Sequence, residues 1–536
     1  VENTPILEVK NVSKYFGSVV ANKNVNITVN RGEVLAILGE NGSGKTTLMN
    51  MIAGIYYPDE GSIFVNGKEA NIRSPQDAFK YKIGMVHQHF KLVDIFTAAQ
   101  NIVLGLNDEK YKMKEISSKA YDIAMKYGFD LDPDKKVYNM SLSEKQTVEI
   151  IKVLYRGADL LILDEPTAVL TPQEIDKLFN VVRAMRADGK SILIITHKLN
   201  EVMAISDRVA VLRKGEYITT VNTKETTEQQ LTEMMVGKKV ELKIDRAKTE
   251  IQKPLLEIRN LEINSDDGSK AIDDVSFYIR GGEILGVAGV AGCGQKELCE
   301  AIAGLRPLKG AIMHKGESIV GLPAKEIIKK GVSMSFIPED RLGMGLAPSF
   351  SITDNVMLKT YTDTKGPFVD RKIAREKARS IINELGIVTP STETPVRRLS
   401  GGNVQKVLVG REIETSPNVI ITAYPVRGLD INSSYAIYNI LNDQKAKGVG
   451  ILFIGEDLDV MLALCDKIMV LCHGKNMGIV HADKTTKEEL GLMMTGSLDL
   501  TETKKDKNYG IAKDSNLTEE QWEQAQEEQE ADGNEQ

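Results

Sequence analysis

"EVLAILGENGSGKTTLMNMIAG", residues 33–54, runs from a short apolar stretch through a loop with glycines at 39, 42 and 44 into a helix-forming segment. A strand, a glycine loop and a helix in that order aim backbone N–H groups at one point in front of the helix N-terminus, where they converge on phosphate oxygens. Lys45 adds a positive charge that reaches the β/γ-phosphates, and the Thr46 hydroxyl is placed to ligate Mg²⁺. Gly39, Asn41, Gly42, Ser43, Gly44, Lys45, Thr46 and Thr47 are therefore the candidate contacts to the phosphates of ATP.

Farther along, "LLILDEP" at 160–166 is an apolar run that ends in two acids. Asp164 is placed to hold Mg²⁺ through water and Glu165 to polarise the attacking water, so the adjacent carboxylates take separate tasks. "EVLAILG", "LLILDEP" and "SILIIT" at 191–196 are short apolar runs of the kind buried on both faces of a parallel sheet. The fold class is α/β.

Residues 6–54, set beside residues 255–304, show the same plan twice: "ILEVKNV" against "LLEIRNL", "RGE" against "GGE", and "IAG" at both ends. The offset is a domain in length, so the chain is a tandem duplication rather than a solenoid. Alternating β-branched runs at the start of each copy read as antiparallel strands of a smaller β subdomain. The expected organisation is a first domain over 5–240, a charged linker over 241–254 ending in Pro254, a second domain over 255–496, and a polar, acidic tail over 499–536. The tail reads as disordered, with at most one weak helix carrying Trp522, and a docking role is the alternative.

With 536 residues, 42% of them hydrophobic, the chain can build more than one core. A net charge of −7 leaves no basic excess for neutralising nucleic-acid phosphates, so no nucleic-acid partner is expected. The four cysteines form no C-x-x-C pair and suit a reducing compartment. "VENTPILEVK" has no leader-like charge and apolar pattern, and no apolar run is long enough to cross a bilayer. A membrane role would be borrowed from a partner.

The loop and the acid pair together resemble the ATP-binding cassette ATPases, and the resemblance covers both copies, from about residue 5 to about residue 495. It implies two P-loop ATPase domains, each with a RecA-like parallel-sheet core, an antiparallel β subdomain and a helical subdomain. It also implies that Phe16 in "SKYFG" stacks on adenine and that Gln88 in "GMVHQHF" both contacts Mg²⁺ and helps arrange the attacking water. His197 in "IITHKLNE" becomes the switch histidine. His87 and His89 flank the glutamine and read as exposed loop residues.

The second copy reverses this inventory. Its loop, "GVAGCGQKE" at 289–297, keeps the glycines but has Gln295 for the lysine and Lys296 for the hydroxyl. A lysine moved by one helical residue points about 100° away and cannot substitute. "VIITAYPVRGLD" at 419–430 puts Ala423 and Tyr424 in place of the two acids, "FIGED" puts Glu456 in place of the histidine, and "FIPED" puts Glu339 in place of the glutamine. The family signature runs the other way. "LSGGN" at 399–403 supplies Ser400, Gly401 and Gly402 to meet the γ-phosphate, whereas the first copy has "MSLSE" with Ser143 for the second glycine. Asp430 keeps the D-loop aspartate, and Thr171 replaces it in the first copy.

In cassette dimers each ATP lies between the loop of one copy and the signature of the other, so the resemblance implies one competent site and one degraded site. The tandem arrangement, P-x-R-G-L-D and "IPEDR" at 337–341 are similar to the ATPase subunits of monosaccharide and nucleoside importers, with a lean to the nucleoside branch. That implies ATP and Mg²⁺ as cofactors, transmembrane permease subunits as partners, an extracytoplasmic solute-binding protein at one remove, and peripheral attachment at the cytoplasmic face of the membrane. A monosaccharide importer is the alternative. A soluble twin-cassette factor acting on ribosomes or DNA would be expected to carry two intact sites, a long basic linker or zinc cysteines, and the sequence has none of these.

Overall fold

The computed structural model describes residues 4–17, 19–88, 90–106, 112–167, 170–196, 198–237, 244–250, 252–265, 268–290, 292–336, 345–361, 370–501, 515, 517, 518, 521 and 522. The chain divides into two units, Val1–Leu242 and Lys243–Gln536.

In the first unit the strands are β1 (Leu7–Phe16), β2 (Val19–Val29), β3 (Val34–Leu38), β4 (Glu60–Val65), β5 (Lys68–Glu69), β6 (Ile83–Val86), β7 (Leu160–Asp164), β8 (Ser191–Ile195), β9 (Arg208–Arg213) and β10 (Glu216–Asn222). They form a sheet in the order β5-β4-β1-β2-β10-β9-β3-β8-β7-β6. From β9 to β6 every neighbour is parallel. All five residues of β3, of β7 and of β8 are buried, which is why these strands read as unbroken apolar runs. β1 pairs antiparallel with β2 and β4, as alternation with one solvated face predicts. The helix Lys45–Ile52 buries Leu48, Met49, Met51 and Ile52 beneath this sheet, and that packing holds the glycine loop at the end of β3.

The second unit repeats the plan with β11 (Pro254–Asn264), β12 (Lys270–Arg280), β13 (Ile284–Ala288), β14 (Lys309–His314), β15 (Glu317–Ser318), β16 (Val332–Phe336), β17 (Val419–Ala423), β18 (Gly450–Ile454), β19 (Lys467–Cys472) and β20 (Lys475–His481). The core order is β16-β17-β18-β13-β19-β20 and the antiparallel order β12-β11-β14-β15, strand for strand the order of the first unit. Each unit also carries a group of helices inserted between its second and third core strands: Ala98–Val103, Met113–Tyr127 and Leu142–Tyr155 in the first, and Ile352–Thr360, Arg371–Glu384 and Gly401–Ile413 in the second.

The segment after residue 243, which the sequence reads as linker, is fastened along the second unit. Arg246 donates to the carbonyls of Leu462 and Ala463, and Asn442 accepts from the backbone N–H of Ala247. All four cysteines are buried and free.

Candidate nucleotide site

In the first unit the glycine loop has no room for a side chain at Gly39 or at Gly44. A Cβ on Gly39 would lie 2.4 Å from both the Leu212 carbonyl and Ser43 Oγ. Gly44 has a left-handed backbone, φ 92°, and caps the helix start with no side-chain hydrogen bond, which leaves the first N–H groups of that helix facing the loop. Ser43 Oγ is buried and has no hydrogen-bond partner among the described residues. An orphaned hydroxyl, an open helix N-terminus and a lysine on one loop match what a triphosphate requires.

Lys45 is 6% exposed, and its Nζ donates to the carbonyls of Gly39 and Glu40 at 2.6 and 3.0 Å. Burial lowers its pKa, opposed first by the charge of Glu165 and then by those of Asp164 and Glu40. The ammonium is thus held on weak carbonyl partners that anionic oxygens can displace.

Asp164 ends β7, buried, and Glu165 follows with φ 45°. A non-glycine residue in the left-handed region stores strain of about 1–3 kcal/mol and persists where the surroundings fix it. Here the Glu165 N–H donates to the Ile195 carbonyl of β8, and Gln88 Nε2 donates to Glu165 Oε2 at 2.9 Å. Two residues singled out on separate grounds, Gln88 and Glu165, are therefore in contact. Phe16 closes the end of β1, 43% exposed, with its ring edge-on to Tyr56 at 5.3 Å. Tyr56 adds an aromatic neighbour that the sequence reading missed. His89 and His197 lie outside the described residues, as do Glu339 and the rest of "IPEDR".

The second unit keeps the backbone and changes the chemistry. Tyr424 repeats the left-handed turn, φ 52°, with its N–H on the Ile454 carbonyl. Its phenol is pushed up to about 12 by burial and by the nearby Glu456. Ala423 is buried beside it. Gln295 takes the place of the lysine and donates to the Val290 carbonyl at 3.3 Å, while Lys296 points outward, its side chain 55% exposed, toward Glu300. Glu456 is tied up by Arg427 at 3.1 Å.

The signatures differ more than the glycine count suggests. Ser400 begins the helix Gly401–Ile413 without a side-chain cap, its hydroxyl held by Asn403 at 3.0 Å, and Ser400 and Gly401 are exposed. Gly402 packs against the D-loop: a Cβ there would lie 2.4 Å from Ser433 Oγ and 3.6 Å from Asp430 Oδ2. Asp430 itself caps the next helix through Ser433. In the first unit Ser141 and Glu144 form a capping box at the helix Leu142–Tyr155. The Glu144 carboxylate accepts from the Ser141 N–H at 2.8 Å, so an anion already occupies that helix N-terminus. The S-x-x-E pattern could have revealed this from the sequence. Thr171 likewise forms a capping box, with Glu174.

Residues 22–168 and 272–425 match the ABC transporter family. The chain is 40% identical to the nucleoside import ATP-binding protein of Lactococcus lactis subsp. cremoris, over 92% of this chain and 99% of that protein. It is 41% identical to the guanosine import ATP-binding protein of Bacillus subtilis, over 92% and 98%. It is 38% identical to the glucose import ATP-binding protein of Haloferax volcanii, over 93% and 97%. Matches in both halves, each spanning one of the two glycine loops, settle the family: the chain belongs to the ABC transporters, as a twin-cassette ATPase.

Proposed function

We propose that this chain is the ATPase of a nucleoside importer and that it hydrolyses ATP at a single site assembled from the loop of the first cassette and the signature of the second. The observation that carries the reading is the complementary sorting of parts. Lys45, Thr46, Asp164, Glu165 and Gln88 stand in one cassette, while the uncapped Ser400–Gly402 helix start and Asp430 stand in the other. Decay without constraint would not spare the signature and D-loop of a cassette whose own loop and acids are lost.

In that site Thr46, Asp164 and Gln88 would hold Mg²⁺, a hard cation suited to hydroxyl, carboxylate and amide oxygens completed by phosphates and water. Bound Mg²⁺ neutralises charge on the phosphates. Glu165 takes the proton of the attacking water, with Gln88 and His197 orienting that water and the γ-phosphate. Ser400, Gly401 and Gly402 close over the γ-phosphate, and Phe16 supports the adenine. The second glycine loop, lacking a cation and an acid, is a binding or structural half-site.

No described helix is long and apolar enough to cross a membrane. Similarity to import ATP-binding proteins supports a reading in which the work is exerted on separate transmembrane permease subunits, with the ATPase peripheral at their cytoplasmic face and a solute-binding protein on the far side. Full-length similarity to nucleoside and guanosine import proteins favours nucleosides, and the glucose import relative supports the monosaccharide alternative. With permeases and binding protein reconstituted in vesicles, ATP-dependent uptake of purine or pyrimidine nucleosides is expected ahead of ribose or galactose. Hexose uptake without competition by nucleosides would overturn the solute while leaving the ATPase intact.

Lys45→Ala tests the cradle. It removes a charge-assisted contact worth about 1.5–3 kcal/mol, so the Kd for ATP should rise by roughly tenfold to a hundredfold in equilibrium binding. An unchanged Kd would reject the assigned role.

A further inference from the structure

The chain's single tryptophan lies in the acidic tail, yet Trp522 is 1% exposed. It packs with Leu517 against Ala311 and Met313 of β14, and the Arg259 guanidinium of β11 stacks over its ring at 4.1 Å. Its indole N–H donates to Ser515 Oγ at 3.2 Å, and Ser515 Oγ donates to Glu257 Oε2 at 2.5 Å, so the polar end of the ring is satisfied where it is buried. Thr518 and Gln521 form a reciprocal cap that turns the chain into the ring's position.

The duplication provides a control for this face. Glu257, Arg259, Ala311 and Met313 correspond to Glu8, Lys10, Ser62 and Phe64 of the first cassette. There the face is solvated: Lys10 lies over its own Phe64 at 4.6 Å and pairs with Glu8 at 3.2 Å, the two side chains 51% and 23% exposed. In the second cassette Arg259 and Glu257 are 6% and 3% exposed. Alanine for serine and methionine for phenylalanine remove a hydroxyl and a rigid ring, leaving a shallow adaptable surface. Arginine for lysine supplies a planar cation that stacks on indole. Each of the three replacements favours a tryptophan.

We propose that the outer face of β11 and β14 is an intramolecular docking site for the C-terminal tail, specified by Glu257, Arg259 and Met313 and filled by Trp522 and Ser515. The tail thereby packs on the face of the antiparallel sheet that, through Ala271 and Ile272 of β12, abuts Gly294 of the degraded phosphate loop. Among the described residues, no segment covers the corresponding face in the first cassette, where Lys10 and Glu8 stay partly exposed.

Because Trp522 is the only tryptophan, its fluorescence reads docking directly in the full-length protein. Native emission should be blue-shifted and shielded from acrylamide relative to the urea-unfolded chain, at every protein concentration. Arg259→Gln and Met313→Glu should each raise the quenching constant several-fold with far-UV circular dichroism unchanged. Should either receptor variant fail to fold, Ser515→Ala with Leu517→Glu, confined to the tail, must produce the same exposure. Native Trp522 as accessible as in urea overturns the proposal, as does shielding that ignores these substitutions. Shielding that fades on dilution would assign the tail to a second copy of the chain and overturn the intramolecular site.

Discussion

Glu165→Gln will retain ATP and stop turning it over. The amide has the size of the carboxylate and can still accept the hydrogen bond from Gln88, so the strained turn after β7 and its tie to Ile195 survive. The capacity to take a proton from water is lost. General-base contributions of this kind are worth roughly 10²–10⁴ in rate, or about 3–5 kcal/mol of barrier. In the purified permease complex kcat should fall by that factor, with the Kd for ATP within a few-fold of the parent. The opposite pattern, weakened binding with preserved turnover per bound ATP, would reject the role. One secondary effect has a defined sign. Glu165 is the largest influence holding up the lowered pKa of Lys45, so its neutralisation moves that pKa further down in the empty site. Binding by the variant should therefore weaken first on the alkaline side, where the lysine loses its proton earlier than in the parent.

Much of this architecture could be read along the chain because parallel strands covered on both faces must be apolar throughout. "VLAIL", "LLILD" and "SILII" are each buried at every residue, and Gly39 and Gly44 sit where a Cβ would strike backbone. The strand order β6-β7-β8-β3-β9 was not legible, because the apolar run of one central strand carries no mark of its neighbours. At the site, residue types predicted chemistry better than they predicted contacts. Gln88 and Glu165 were assigned separately, and only the fold shows them bonded. The left-handed backbone shared by Glu165 and Tyr424 had no glycine or asparagine to announce it. The Glu144 cap did have a signal, S-x-x-E, hidden beneath the comparison with the glycine signature. Burial of Trp522 was least legible of all, since an acidic, polar surrounding ordinarily marks a solvated end and its receptor is distant in sequence.

Restoring the second loop by Gln295→Lys with Lys296→Ser, on a Glu165→Gln background that silences the first site, should recover no ATP hydrolysis. The loop itself can accept the change. Gln295 is buried as Lys45 is, on a helix whose start has the same left-handed glycine cap, and Lys296 contributes only an exposed contact to Glu300. The new lysine would nevertheless find no acid pair, because Ala423 and Tyr424 stand at the end of β17. A neutral phenol with its pKa pushed up to about 12 cannot take a proton from water at neutral pH. Glu456, whose charge adds to the effect of burial on that phenol, is paired with Arg427 and sits in the histidine's place. On the facing signature, as the single-site reading has it, Ser143 replaces a glycine and the Glu144 carboxylate already caps the helix where a γ-phosphate would approach. Adding a charge to the loop corrects one defect out of several that act as a unit, and such defects are far from additive. The double variant should therefore bind ATP more tightly at the second loop, through the regained ammonium, while phosphate release stays at the Glu165→Gln background. Release well above that background would mean that the lysine alone was missing and that the division into one competent and one degraded site is wrong.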